Sequence, residues 1–189
     1  MLIRMLIATL VVSVALAGSA SARKIAGITM PDTFKAGDTA LVLNGAGIRT
    51  KLMLNIYVGG LYLKATSSDD AKIINADEPM AIRLHIVSGL ITPKDFEEAT
   101  REGFKRSTGG NIAPIKDKME RFISIFREGI SKNDVYDLVY VPAKGVSVSK
   151  NGALKTTAKG LEFKKALFGI WLCPKAVTPK LRRGMLGIK

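Results

Sequence analysis

Leu52-Met53-Leu54-Asn55-Ile56-Tyr57-Val58-Gly59-Gly60-Leu61-Tyr62-Leu63 is the stretch that decides the fold. It is rich in the branched and aromatic residues that fit a pleated, half-buried surface. The Gly59-Gly60 pair inside it marks a bulge, a bend or the close approach of another group. On its N-terminal side, Thr39 to Leu43 is an apolar run ending at Asn44-Gly45, a turn signal, and the strand pattern resumes at Ile48-Arg49-Thr50. Earlier still, Ile25 to Met30 forms a short run closed by Pro31-Asp32. On the C-terminal side, Ala81 to Val87 alternates, with Ile82, Leu84 and Ile86 on one face and Arg83 and His85 on the other.

Helix signals follow. Thr92-Pro93-Lys94-Asp95 reads as an N-cap, a proline at the first helical position and an acid at the third. Phe96, Ala99, Thr100, Gly103 and Phe104 then recur at the spacing of one helical face. A second amphipathic helix is expected from about Pro114 to Ile130, after a Ser107-Thr108-Gly109-Gly110-Asn111 turn. Strands return at Val135 to Val141 and Gly145 to Ser149, the latter entering Lys150-Asn151-Gly152, a strong hairpin signal. Helices close the chain at about Leu161–Leu172 and Pro179–Leu186. Strands first, helices inserted, a hairpin, then helices: this order predicts an α+β fold with an antiparallel sheet and helices on one face.

The first 22 residues read as a secretory signal peptide. Arg4 precedes an apolar run from Met5 through Leu16, and Ala20-Ser21-Ala22 gives the A-x-A pattern of a cleavage site. The run is shorter than the roughly 20 apolar residues of a membrane span. Removing it leaves 167 residues (189 − 22), one domain spanning 23–189, and an exported protein, periplasmic or secreted. The formal charge is +13, or +12 once Arg4 leaves, with the basic residues spread along the chain. Loose peripheral contact with an anionic membrane surface is the expectation, and nucleic acid is not expected as a partner of an exported chain.

One cysteine, Cys173, excludes an internal disulfide, and with a single histidine, His85, it argues against a zinc site. Gly45-Ala46-Gly47 lacks the third glycine of a dinucleotide loop. No metal or cofactor is expected. What remains is Arg49, at the head of an apolar strand pair, with Tyr57 and Tyr62 following. If the inner face of the sheet meets the helix carrying Phe96, Thr100 and Phe104, a guanidinium and a phenol project into an apolar cleft. Such a cleft holds a hydrophobic molecule with one anionic or carbonyl end, because arginine donates two parallel hydrogen bonds to a carboxylate. Arg49 as a surface residue, the tyrosines as ordinary strand aromatics and the phenylalanines as core are the plainer alternatives.

The segment from Leu43 to Lys51, with Ile56 to Leu63, resembles the opening motif of chalcone isomerase-like domains. So does Phe163-Lys164-Lys165-Ala166-Leu167-Phe168-Gly169-Ile170-Trp171-Leu172, followed by Val177-Thr178-Pro179-Lys180-Leu181. The resemblance spans the chain after residue 22 and lies nearest the exported bacterial members. It implies an open-faced β-sandwich, a large antiparallel sheet covered by a layer of helices with a ligand cleft between them. Family enzymes close a flavanone ring, and family relatives bind fatty acids in the same cleft. Arg49 matches the family arginine, which stabilises a developing oxyanion in the enzymes and pairs with the carboxylate in the binders. Tyr57 matches the tyrosine of the binders, where the enzymes have threonine. Phe96 and Gly103 stand where the enzymes place a tyrosine and an asparagine, and Cys173 where relatives usually have glycine. The resemblance therefore implies binding of a fatty acid or phenolic amphiphile at Arg49, Tyr57, Tyr62, Phe96, Thr100 and Phe104. The alternative is an isomerase in which Arg49 is catalytic.

Overall fold

The computed structural model describes residues 23–176 and 178–188, and every strand, helix and hydrophobic cluster discussed here lies among them. The segment read as a signal peptide lies outside the described residues. The first two strands, β1 (Arg23–Ile25) and β2 (Ile28–Met30), form a small hairpin of their own, turned at Ala26-Gly27 with positive φ at both. The expected single run from Ile25 to Met30 is thus folded in two.

Seven strands make the main sheet: β3 (Thr33–Ala36), β4 (Thr39–Lys51), β5 (Leu54–Leu63), β6 (Met80–Ile86), β7 (Val135–Val141), β8 (Gly145–Lys150) and β9 (Ala153–Ala158). They lie in sequence order and every neighbouring pair is antiparallel. Between and after them come α1 (Asp70–Asn75), α2 (Pro93–Ser107), α3 (Lys116–Arg127), α4 (Leu161–Leu172) and α5 (Pro179–Met185). A 3-10 turn at Ala113–Ile115 leads into α3. No helix among the described residues is long and apolar enough to cross a membrane.

The helices cover one face of the sheet. Alternate strand residues, among them Leu61, Ile82, Leu84, Tyr136 and Leu138, meet Phe104 of α2, Phe122 and Phe126 of α3, and Phe163 and Leu167 of α4 in the main core. Each such side chain, once buried, contributes about 1.5–3 kcal/mol. The opposite face carries two smaller clusters, Leu41, Tyr62 and Ala81 beside Phe34, and Met30, Ala46 and Val58 under the β1–β2 hairpin. The architecture is α+β, an antiparallel sheet under a layer of helices, as expected.

Two local expectations are corrected. Asn44-Gly45 is not a turn: β4 runs through it to Lys51, with a register shift between Leu43 and Gly45. The reason is distant in sequence. Asn44 is buried, donates from Nδ2 to the Met185 carbonyl at 2.9 Å and accepts from the Ser67 backbone N–H at 2.7 Å. A Cβ on Gly45 would run into the backbone carbonyl of Gly184, and one on Gly47 would stand 3.0 Å from that of Leu181. These glycines let α5 lie backbone against backbone on β4. The actual reversal falls at Leu52-Met53, read from sequence as strand, where both residues have left-handed φ (48° and 65°). The short α1 is an element the sequence reading missed. Asp69 caps its first turn and Lys164 of α4, fully buried, caps its last: Nζ donates to the carbonyls of Ile73, Ile74 and Ala76 at 2.8, 2.9 and 2.7 Å.

Candidate functional site

Arg49 and Tyr57 are cross-strand partners near the end of β4 and β5 that faces α2. One of Arg49's five donors, Nη1–H, goes to the Thr178 hydroxyl at 2.8 Å, which holds the guanidinium at the segment leading into α5. Tyr57 is buried, and its oxygen accepts the indole N–H of Trp171 on α4 at 2.8 Å. Burial pushes the Tyr57 phenol above its ordinary range, with Arg49's positive charge and the Trp171 bond acting in the opposite direction. The phenol stays protonated at neutral pH, with its oxygen already accepting and its proton left to donate.

Around this polar pair the walls are apolar: Ile56 on β5, Ile91 before α2, Phe96 and Ala99 on α2, Ile170 and Trp171 on α4, Ala176, and Leu181 on α5. Thr100 and Asp95 of α2 and Lys51 of β4 complete the lining. Lys51 Nζ reaches Asp95 Oδ1 at 3.2 Å, bridging the strand to the first turn of α2 at the mouth. That first turn is well fixed. Thr92 and Asp95 form a reciprocal capping box, with Asp95 N–H donating to Thr92 Oγ1 at 3.1 Å. The internal space is about 40 Å³, room for a few waters, where small-molecule sites run to about 300–1,000 Å³. The cleft is formed but closed.

Of the residues singled out in the sequence, Arg49, Tyr57, Phe96 and Thr100 come together in this cleft. Two do not. Tyr62 is buried on the opposite face of the sheet, 5.2 Å from the Phe34 ring centroid to centroid, with burial raising its phenol to about 12. It stands five positions after Tyr57, and an odd spacing along a strand changes face. Phe104 lies deeper than the cleft, packed between Phe122 and Phe163 in the core. The sequence reading missed Trp171 and Thr178 as polar partners. Both sit inside the second motif, and Trp171 is the chain's one tryptophan. His85 stands on the outer face beside Arg83, itself in a bidentate pair with Asp137 at 2.7 and 2.9 Å. Burial, and secondarily Arg83, lower the His85 pKa. Among the described residues no group of three or more His, Cys, Asp or Glu side chains is placed to hold a metal ion.

The model of the family described as chalcone isomerase-like matches residues 22–187. The chain belongs to the chalcone isomerase-like family. Among solved structures it is similar to the crystal structure of a fatty-acid binding protein of Arabidopsis thaliana, at 20% identity and a TM-score of 0.66. That likeness covers 85% of this chain and 92% of the plant protein, and it is a likeness of fold. Comparison with curated protein sequences gives no match. Phe96 lines the cleft, its ring 4.2 Å from that of Phe126. At Gly103 a Cβ would meet Ile170 Cγ2 at 2.6 Å, so α4 fills the space beside it. Cys173 has φ −64°, ψ 157°, an extended conformation open to any residue, so nothing there requires glycine.

Proposed function

We propose that this protein binds a fatty acid or similar amphipathic carboxylate in the cleft between sheet and helices. The observation that carries the reading is the polar end of an otherwise apolar cleft: Arg49 held by Thr178, with the neutral donor Tyr57 paired opposite it on β5. A guanidinium and a phenol together complement a carboxylate head, while Ile56, Phe96, Ile170 and Leu181 offer the acyl chain an apolar wall. The fatty-acid binding protein of the same fold supports this choice of ligand class.

Binding requires the cleft to open, since 40 Å³ does not admit an acyl chain. The Lys51–Asp95 bridge at the mouth is exposed, and such a pair contributes only about 0–1 kcal/mol. A ligand's apolar burial exceeds that easily. The test is titration of the chain with a long-chain fatty acid, followed by native mass spectrometry. Arg49→Ala is expected to weaken binding by about 10- to 100-fold, the worth of a charge-assisted hydrogen bond of about 1.5–3 kcal/mol. Unchanged affinity in that variant would rule the reading out. The isomerase alternative draws on the same Arg49, which would stabilise an enolate oxygen beside the Tyr57 hydroxyl. Ring closure of a 2′-hydroxychalcone faster than the uncatalysed rate, and dependent on Arg49, would favour it over simple binding.

We also propose that residues 1–22 direct export and are removed. N-terminal sequencing of the chain recovered outside the cytoplasm is expected to begin near Arg23.

A further inference from the structure

Leu52 and Met53 form the tip of the β4–β5 hairpin and are almost wholly exposed, at 87% and 96%. Lys51 pairs with Leu54, so the loop between them has two residues, both in the left-handed region. That is the geometry in which Asn-Gly is the ordinary choice, and in which a Leu-Met pair is strained. Two costs coincide at this tip: apolar side chains left in water, and a backbone conformation that disfavours them. Leu54, half exposed, and Leu90, 72% exposed in the β6–α2 loop, extend the apolar surface. The two loops are neighbours, because Val87 and Ser88 both donate backbone N–H groups to the Ile56 carbonyl and Lys51 bridges to Asp95.

This apolar edge borders the mouth of the Arg49 cleft, which Lys51 and Ile91 line. Each segment around the mouth also brings an exposed lysine: Lys51 on β4, Lys94 in the first turn of α2, and Lys175 beside Ala176. Two acids stand nearby on α2: Asp95, which is bonded to Lys51, and the exposed Glu98, one turn after Lys94. Projecting leucine and methionine amid lysines, on a chain of net charge +13, match an anionic bilayer surface, where acyl tails lie beneath negative headgroups. A stable protein partner needs a broad interface, about 800 Å² per side, and a two-residue convex tip does not supply one.

We propose that the Leu52-Met53 tip inserts into the interface of an anionic lipid membrane, bringing the cleft mouth against the lipid. The proposal adds to the binding reading by naming where the ligand enters, and rests on that reading only for this purpose. Membrane docking itself is measured without any ligand. The chain from Arg23 to Lys189 is sedimented with vesicles of 30% phosphatidylglycerol in phosphatidylcholine, and with phosphatidylcholine alone. Wild type is expected to partition onto the anionic vesicles and to be released as salt rises. The double substitution Leu52→Asn, Met53→Gly suits the turn, so thermal stability is expected to hold or increase. Vesicle binding is nevertheless expected to fall by about tenfold or more, with affinity for a soluble fatty acid unchanged. Arg49→Ala gives the complementary pattern, losing fatty acid and keeping the vesicles, so the two readings fail separately. Equal sedimentation of the double variant and wild type would overturn the proposal. So would a wild-type chain that stays off the vesicles but forms a concentration-dependent dimer abolished by the double substitution, which would make a second copy the occupant of the tip.

Discussion

Tyr57, Tyr62, Tyr136 and Tyr140 are the chain's four tyrosines, and none faces water freely. Burial is the first cause in each case of a phenol held above its ordinary value of 10, to about 12 for Tyr62 and Tyr140. Because the native state keeps protons that the unfolded chain gives up near pH 10, stability is whole below that pH. It falls as pH rises from 10 toward 12. Absorbance titration of the native chain is expected to show almost no tyrosinate at pH 10.5, and all four tyrosinates together once alkali unfolds it. A hyperchromic step equivalent to one tyrosine near pH 10 in the folded chain would contradict the burial of that ring. At the same scale, Tyr62 teaches what alternation alone could have said: its odd separation from Tyr57 places it outside the cleft. Trp171 and Thr178 were harder, because both reach Tyr57 and Arg49 from more than a hundred residues away.

Among the elements, α2 was the most legible, since its start is written in four consecutive residues, Thr92-Pro93-Lys94-Asp95, all local. Its capping box makes a pH-dependent contribution. Bonds from Thr92, with help from Lys51, hold the Asp95 carboxyl at about 2, below its ordinary 3.8. The unfolded chain therefore takes up that proton first, and the stabilisation is present above pH 3.8 and lost as pH falls toward 2. Thermal unfolding of Asp95→Asn and wild type is expected to differ most above pH 4, with the gap closing by pH 2. A gap that stays constant over that range would mean the carboxylate charge is irrelevant to the cap. The β4–β5 hairpin was least legible at its ends. Its true turn, Leu52-Met53, carries none of the residues that announce a turn, and the announced one, Asn44-Gly45, became a bulge. Local sequence could not show this, because the groups that decide it, Met185 and Gly184, come from α5.

For the whole molecule, the closest joint is that between α5 and β4. A Cβ on Gly184 would stand 2.7 Å from the Ala46 carbonyl oxygen and 2.9 Å from Gly47 Cα, against backbone that cannot swing aside. Gly184→Ala is expected to cost about 1–3 kcal/mol, the usual range for overpacking, measured by urea unfolding. Gly89→Ala, where nothing lies within 4 Å, serves as the control and is expected to be close to neutral. Equal midpoints for the two variants would show that the joint yields. The layered fold itself was legible from element order. The closure of the cleft was not, because it depends on how far α4 intrudes: Ile170 fills the space over Gly103 that a larger residue would hold.

The docking of α5 onto β4 also sets a timetable. A chain leaves the ribosome N-terminus first, so Asn44 and the bared backbone of Gly45 and Gly47 emerge long before Met185, 141 residues later, can meet them. Until then β4 lacks its cover, and the loop that must close is nearly the length of the domain, the kind of contact that makes folding slow. A helix made long after β4 is thus the one that finishes the first long strand. The native packing of β4 therefore waits until α5 has been made.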